Sequence, residues 1–204
     1  MTTKVIETLM NEHRVIERVL GSLEAFAAGL DEETADQRRT VADYAEFFRE
    51  FADRCHHGKE EDGLFTALTE HGFPADGGPV AVMLHEHEAG RNHVRALAEI
   101  GAGSGPLGPD ERARVSRHAA EYVPLLRQHI TKEDAILFPA AERALPPAVL
   151  EALADDFARH ERDEMGRGTH ERLHRLADDL IAGCPPLAPA GPQPAMTSGS
   201  PCGH

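Results

Sequence analysis

The stretch His56-His57-Gly58-Lys59-Glu60-Glu61-Asp62 returns 73 residues later as His129-Ile130-Thr131-Lys132-Glu133-Asp134, and this recurrence organises the chain. Each copy contains His-x-x-x-Glu. On a helix, positions i and i+4 share a face, so imidazole and carboxylate point at one spot. Each copy then runs into an apolar end, with Phe65 and Phe138 both nine residues after the His. A shorter repeat precedes each copy: Leu9-Met10-Asn11-Glu12-His13 matches Met83-Leu84-His85-Glu86-His87. The separations from His13 to His56 and from His87 to His129 are 43 and 42 residues. Such register is that of a duplicated helical hairpin, giving four helices that each carry one set of ligand-type side chains.

Working outward, residues 3–28 read as the first helix, since Val5, Ile6, Leu9, Ile16, Leu20, Leu23 and Phe26 recur at steps of three and four and Gly29 stops the run. His13 lies inside that stripe. Residues 31–71 read as the second helix, in which Val41, Ala45, Phe48 and Ala52 lead to His56 and Glu60. Residues 79–100 and 110–144 read as the third and fourth. Pro124 removes a backbone hydrogen bond inside the fourth, so a kink is expected there. Residues 146–182 form a further amphipathic stretch, broken near Gly166 and Gly168, with no place in a minimal four-helix core. The expected fold is therefore all-α: an up-down four-helix bundle over residues 1–145, a C-terminal helical extension over 146–182, and a disordered Pro/Gly/Ser tail over 183–204.

The 204 residues are 41% apolar and carry a net charge of −14 without any Lys/Arg-rich stripe. That charge argues against nucleic acid or an anionic membrane as partner and leaves small molecules. No secretory-type leader is recognisable, and no apolar run approaches the roughly 18 residues of a membrane span, so the expected location is the cytoplasm. Cys55, Cys184 and Cys202 are odd in number and irregularly spaced, which fits a reducing compartment.

Six donors converge in this scheme: His13, His56, Glu60, His87, His129 and Glu133. Mixed imidazole–carboxylate sets suit iron or zinc better than magnesium or calcium. With about six ligands for each of two irons, four His and two bridging Glu fill about eight of roughly twelve positions. The rest would go to a bridging group and to solvent or a small ligand. His57 and Glu61 share the spacing of His56 and Glu60, but the residues upstream of His57 on its face are Glu46, Glu50 and Asp53, so His57 is expected to face solvent. Tyr122 stands two turns before His129 and is the candidate catalytic residue for proton handling, a packed core Tyr being the plain alternative. His71, His85, His93, His118 and His160 read as surface, and Cys55 as a buried inert thiol. His170-Glu171-Arg172-Leu173-His174 matches the zinc-protease pattern His-Glu-x-x-His, but no third ligand except His204 follows, so it reads as a chance match.

The order His, His-x-x-x-Glu, His, His-x-x-x-Glu over residues 5–145 resembles the hemerythrin-like, HHE cation-binding domains. The resemblance implies a four-helix bundle around two non-haem iron ions, oxo- or hydroxo-bridged, that meets O2, H2O2 or NO. Oxygen-carrying members of that family use five His, with a third-helix pair and a longer His-to-Asp spacing on the last helix. Four His here would leave open positions on both irons, which points to a peroxide-consuming, catalase-like oxidoreductase. The alternative is an O2, NO or iron sensor or store without turnover.

Overall fold

The apolar stripes fold as six helices among the residues that the computed structural model describes, 2–30, 36–166 and 168–187. Helix α1 is Lys4–Ala28. Helix α2 runs over residues 37–70 as α-helical Gln37–Phe47, π-helical Phe48–His57 and Glu60–Phe65, and α-helical Thr66–Glu70. Helix α3 is Gly78–Gly101. Helix α4 covers residues 109–144, with α-helical Pro109–Lys132 and Phe138–Ala144 on either side of π-helical Glu133–Leu137. The α-helix passes Pro124 without a break. Helix α5 covers residues 147–164 and ends in π-helical His160–Glu164, and α6 is Thr169–Gly183. Gly166 and Gly168, at φ 83° and 80°, separate α5 from α6 where the sequence suggested a break. No strand occurs among the described residues. The expected start of the second helix at Asp31, and residues 188–204 of the expected tail, lie outside them.

Helix α2 packs on α3, α3 on α4, α4 on α1 and α1 on α2, so the four close into a ring. Their stripes bury two apolar clusters. One holds Val5, Ile6, Leu9, Leu64, Phe65, Val80, Met83, Leu137 and Phe138; the other holds Ile16, Leu20, Phe48, Phe51, Val94, Leu97, Val123 and Ile130. Along α1 and α3 the first cluster comes before the Glu-His pair and the second after it; along α2 and α4 the order is reversed. Every chemistry-bearing repeat therefore sits in a polar layer between two apolar ones. Residues 147–183 join this core: Leu150, Leu153 and Phe157 of α5 enter the first cluster, and Leu173, Ala177 and Leu180 of α6 the second. Both helices lie against α1 and α2. Each fully buried Leu or Phe is worth roughly 1.5–3 kcal/mol over leaving it exposed, so this cover stabilises the bundle. No described helix is long and apolar enough to cross a membrane.

Helix α3 ends close against α2. A Cβ on Gly101 would stand 2.7 Å from Ala42 Cα and 2.8 Å from its backbone nitrogen, contacts that no rotamer can relieve. Gly101→Ala should therefore cost about 1–3 kcal/mol in denaturant unfolding. Gly183→Ala, whose Cβ meets nothing within 4 Å, should be neutral or slightly stabilising in the same measurement. Equal effects at the two positions would contradict this packing.

Candidate metal centre

The polar layer brings together all six donors named from the sequence. His13, His56, His87 and His129 are each 1% exposed or less, and Glu60 and Glu133 are fully buried. The two carboxylates stand between imidazoles from different helices. Glu60 places one oxygen 3.6 Å from His56 Nε2 and the other 3.6 Å from His87 Nε2, while Glu133 Oε2 is 3.3 Å from His13 Nε2 and 3.1 Å from His129 Nε2. Neither carboxylate has a hydrogen-bond partner, nor do His13 Nε2 and His56 Nε2. Buried polar atoms are almost always satisfied, so a concentration of orphans marks a place built for something else.

The far side of each imidazole explains which atoms point inward. His56 donates Nδ1–H to Glu12 (2.8 Å), His129 to Glu86 (3.1 Å), His13 to Asp134 (2.8 Å) and His87 to Glu61 (2.6 Å). An ionised carboxylate can only accept, which puts the ring proton on Nδ1 and leaves the Nε2 lone pair for the centre. Carboxylates that orient the rings in this way are the usual outer partners of metal-bound His. The Nε2 atoms of His87 and His129 consequently face each other at 3.0 Å, an apposition of lone pairs that a cation relieves. Lys59 and Lys132 in turn pair with Glu12 and Glu86, and Arg14 and Arg91 with Asp134 and Glu61.

His57 corrects the sequence reading. It was expected to face solvent, but it is 4% exposed, with Nε2 buried and unpartnered, and it stacks on His87 at a centroid distance of 3.7 Å. The π-helical turn over Phe48–His57 is the cause. With i→i+5 bonding the chain rotates less per residue than an α-helix, so His56 and His57 both turn inward, and the face counted in α-helical steps from Glu46 and Glu50 no longer leads to solvent. Asp53, expected on the solvent side, faces His57 Nδ1 at 3.4 Å and is itself held by Arg91. Two groups result, His13/His56/Glu60/Glu133 and His57/Glu60/His87/His129, whose ligand atoms lie within 4.8 Å of one another in each group. Glu60 belongs to both.

Burial pushes the His56 and His57 imidazoles down to about 3 and that of His87 well below its usual range, so all three are neutral donors at physiological pH. Burial, and then the charge of Glu133, holds the Glu60 carboxyl well above the carboxylate range. Burial opposes the protonation of His13, yet its hydrogen bond to Asp134 and the nearby Glu133 carboxylate overcome it and raise the ring to about 9. Cations among these donors would compete with protons on Glu60 and His13, so binding should release protons.

Residues 4–141 match the model of the hemerythrin HHE cation-binding domain. The chain belongs to this family. Uncharacterized proteins of Mycobacterium bovis and of Mycobacterium tuberculosis strains CDC 1551 and H37Rv are each 22% identical to it over 173 residues, 84% of this chain and 67% of theirs. No solved structure matches significantly.

Around the HHE centre, Phe138 stacks on His13 (5.5 Å, 10°) and Phe65 on His87 (5.8 Å, 18°), so the two repeated Phe residues wall the imidazoles from water. Tyr122 is buried edge-on against Phe48 at 5.1 Å and meets no donor of the centre in a hydrogen bond or ring contact; it lines a cavity of about 430 Å³ that reaches His57 between α2 and α3. Burial of Cys55 pushes its thiol up to about 12, which makes it inert. His170 and His174 flank Phe51 in place of forming a protease site, and the Lys59 ammonium bridges the nearby Glu12 and Glu161.

The outer carboxylates Glu12, Glu86 and Asp134 were not singled out from the sequence, and Glu61 was weighed only as an alternative ligand beside His57, although Glu-His and Lys-Glu-Glu/Asp recur in both halves. Removing one should loosen the ring it orients. Glu12→Ala and Glu86→Ala are each expected to lower metal affinity about 10–100-fold in competition against a chromophoric chelator. Wild-type affinity in both would show that these contacts do not serve a metal.

Proposed function

We propose that this chain is a non-haem iron protein that holds two iron ions and binds one small oxygen-type ligand, O2 or NO, in a buried centre. The observation that carries this reading is the convergence of five buried imidazoles and two unpartnered carboxylates. Membership of a cation-binding family supports the metal, and the donor set, nitrogen-rich with two carboxylates, suits iron. Five His and two Glu shared between the ions would supply about nine of roughly twelve positions, one more than the sequence count allowed. Three imidazoles fall in the group of His57, His87 and His129 and two in that of His13 and His56, so with both Glu shared an open position would fall to the latter. Iron supplies a redox-active Lewis acid there. The protein's part is to hold the imidazoles by their Nδ1–H bonds, keep Glu60 and Glu133 between the two groups, and exclude water with Phe65 and Phe138. Free thiols at Cys55 and Cys184 support a cytoplasmic setting.

Peroxide turnover remains the second reading because of the cavity at His57. At about 430 Å³ it exceeds what O2 requires, and it is lined by Tyr122, whose phenol burial keeps protonated well beyond neutral pH. The two readings separate at His57. The reduced iron protein should take up O2 or NO reversibly and consume hydrogen peroxide slowly, and His57→Ala, by freeing a position in the second group, should raise peroxide consumption about tenfold or more. Rapid peroxide consumption by the wild type, reduced in Tyr122→Phe with iron retained, would establish turnover instead.

A further inference from the structure

Helices α3 and α4 carry a second group of donors on their outer seam, sharing no residue with the buried centre. His93 of α3 and His118 of α4 face one another with their Nδ1 atoms 3.2 Å apart and their rings at 68°. Glu121, three residues after His118 and so on the same face of α4, brings Oε2 to 3.8 Å from His93 Nδ1. The three ligand atoms lie within 4.8 Å of one another. The His93 side chain is 18% exposed and that of Glu121 55%, so the seam is open to solvent on one side.

Two imidazoles that meet Nδ1 to Nδ1 have two ways to be satisfied. One is a single shared proton, for which 3.2 Å is at the long end of N–H hydrogen bonds. The other is a cation. Two nitrogens about 2.0–2.1 Å from one tetrahedral ion are about 3.3–3.4 Å apart, so the rings need shift by only a few tenths of an ångström to hold one. Glu121 supplies an anionic oxygen, and solvent can take the fourth position. Burial, and then the neighbouring His93, lowers the pKa of His118, which keeps its lone pair free at neutral pH. Arg117 and Arg114 also act on His118 and oppose a cation, which sets the affinity below that of an enclosed structural site. Two imidazoles and one carboxylate select borderline ions of the zinc and copper type over magnesium or calcium.

We propose that His93, His118 and Glu121 form a surface site for a borderline divalent cation such as zinc, which clips α3 to α4 independently of the buried centre. The protein as purified is titrated with zinc chloride, and bound zinc is counted after gel filtration beside His93→Gln, His118→Gln and Glu121→Gln, with helical circular dichroism as the fold control. The wild type should take up one more zinc per chain than either His variant, and Glu121→Gln should bind that zinc about tenfold more weakly. The two His variants are read separately, so loss of fold in one leaves the other decisive. Equal zinc uptake by the wild type and a folded His variant, or none by the wild type, overturns the proposal and leaves the shared proton as the account of the 3.2 Å contact.

Discussion

Two carboxylates with no hydrogen-bond partner, Glu60 and Glu133, lie fully buried between two apolar clusters, and the rest of the fold is arranged around what that burial costs. An uncompensated buried charge costs several kcal/mol, a large share of the 5–15 kcal/mol that holds a typical domain together. The chain meets the cost in layers. Five imidazoles surround the carboxylates, a shell of Glu and Asp orients the imidazoles, and Lys59, Lys132, Arg14 and Arg91 neutralise that shell. The outer carboxylates are thus balanced by cations, whereas the inner two face mostly neutral imidazoles, so cations at the middle would complete the compensation.

The layers are built twice. Glu12, His13, His56, Lys59, Glu60, Glu61 and Phe65 have counterparts in Glu86, His87, His129, Lys132, Glu133, Asp134 and Phe138, and the contacts repeat with the residues: each Phe stacks on the His of the other half's Glu-His pair, and each Lys meets the Glu of its own half's pair. The symmetry breaks where His57 stands in one half and Ile130 in the other. His57 points into the centre with Asp53 behind it, whereas Ile130 packs into an apolar cluster. That single difference makes one ligand group richer in imidazole than its partner, and two ions held there would meet unequal donor sets.

The helices and six of the donors were legible because α-helical periodicity carries through α1 and α3 and the repeat fixes the register. His57 was not, because π-helical turns leave no mark in a pattern counted at 3.6 residues per turn. The outer carboxylates were legible in principle: Glu12 and Glu86 stand at matched positions, but a solvated Glu beside a His is so ordinary that only the Nδ1 contacts reveal their role. The packing of residues 147–183 escaped for a different reason. Periodicity shows that Leu150, Leu153, Leu173 and Leu180 form a stripe, and it does not say which groove the stripe covers.

The central claim is that this polar layer is built to hold two cations and is less stable without them. It is tested by analysing the purified protein for iron and then melting it before and after the metal is stripped with a chelator. The account predicts close to two irons per chain and, for a site occupied at about a thousand times its dissociation constant, a melting temperature about 8–16 °C lower once the metal is gone. Protein that carries no metal, gains none on incubation with iron(II), and melts at the same temperature with and without it would contradict the account.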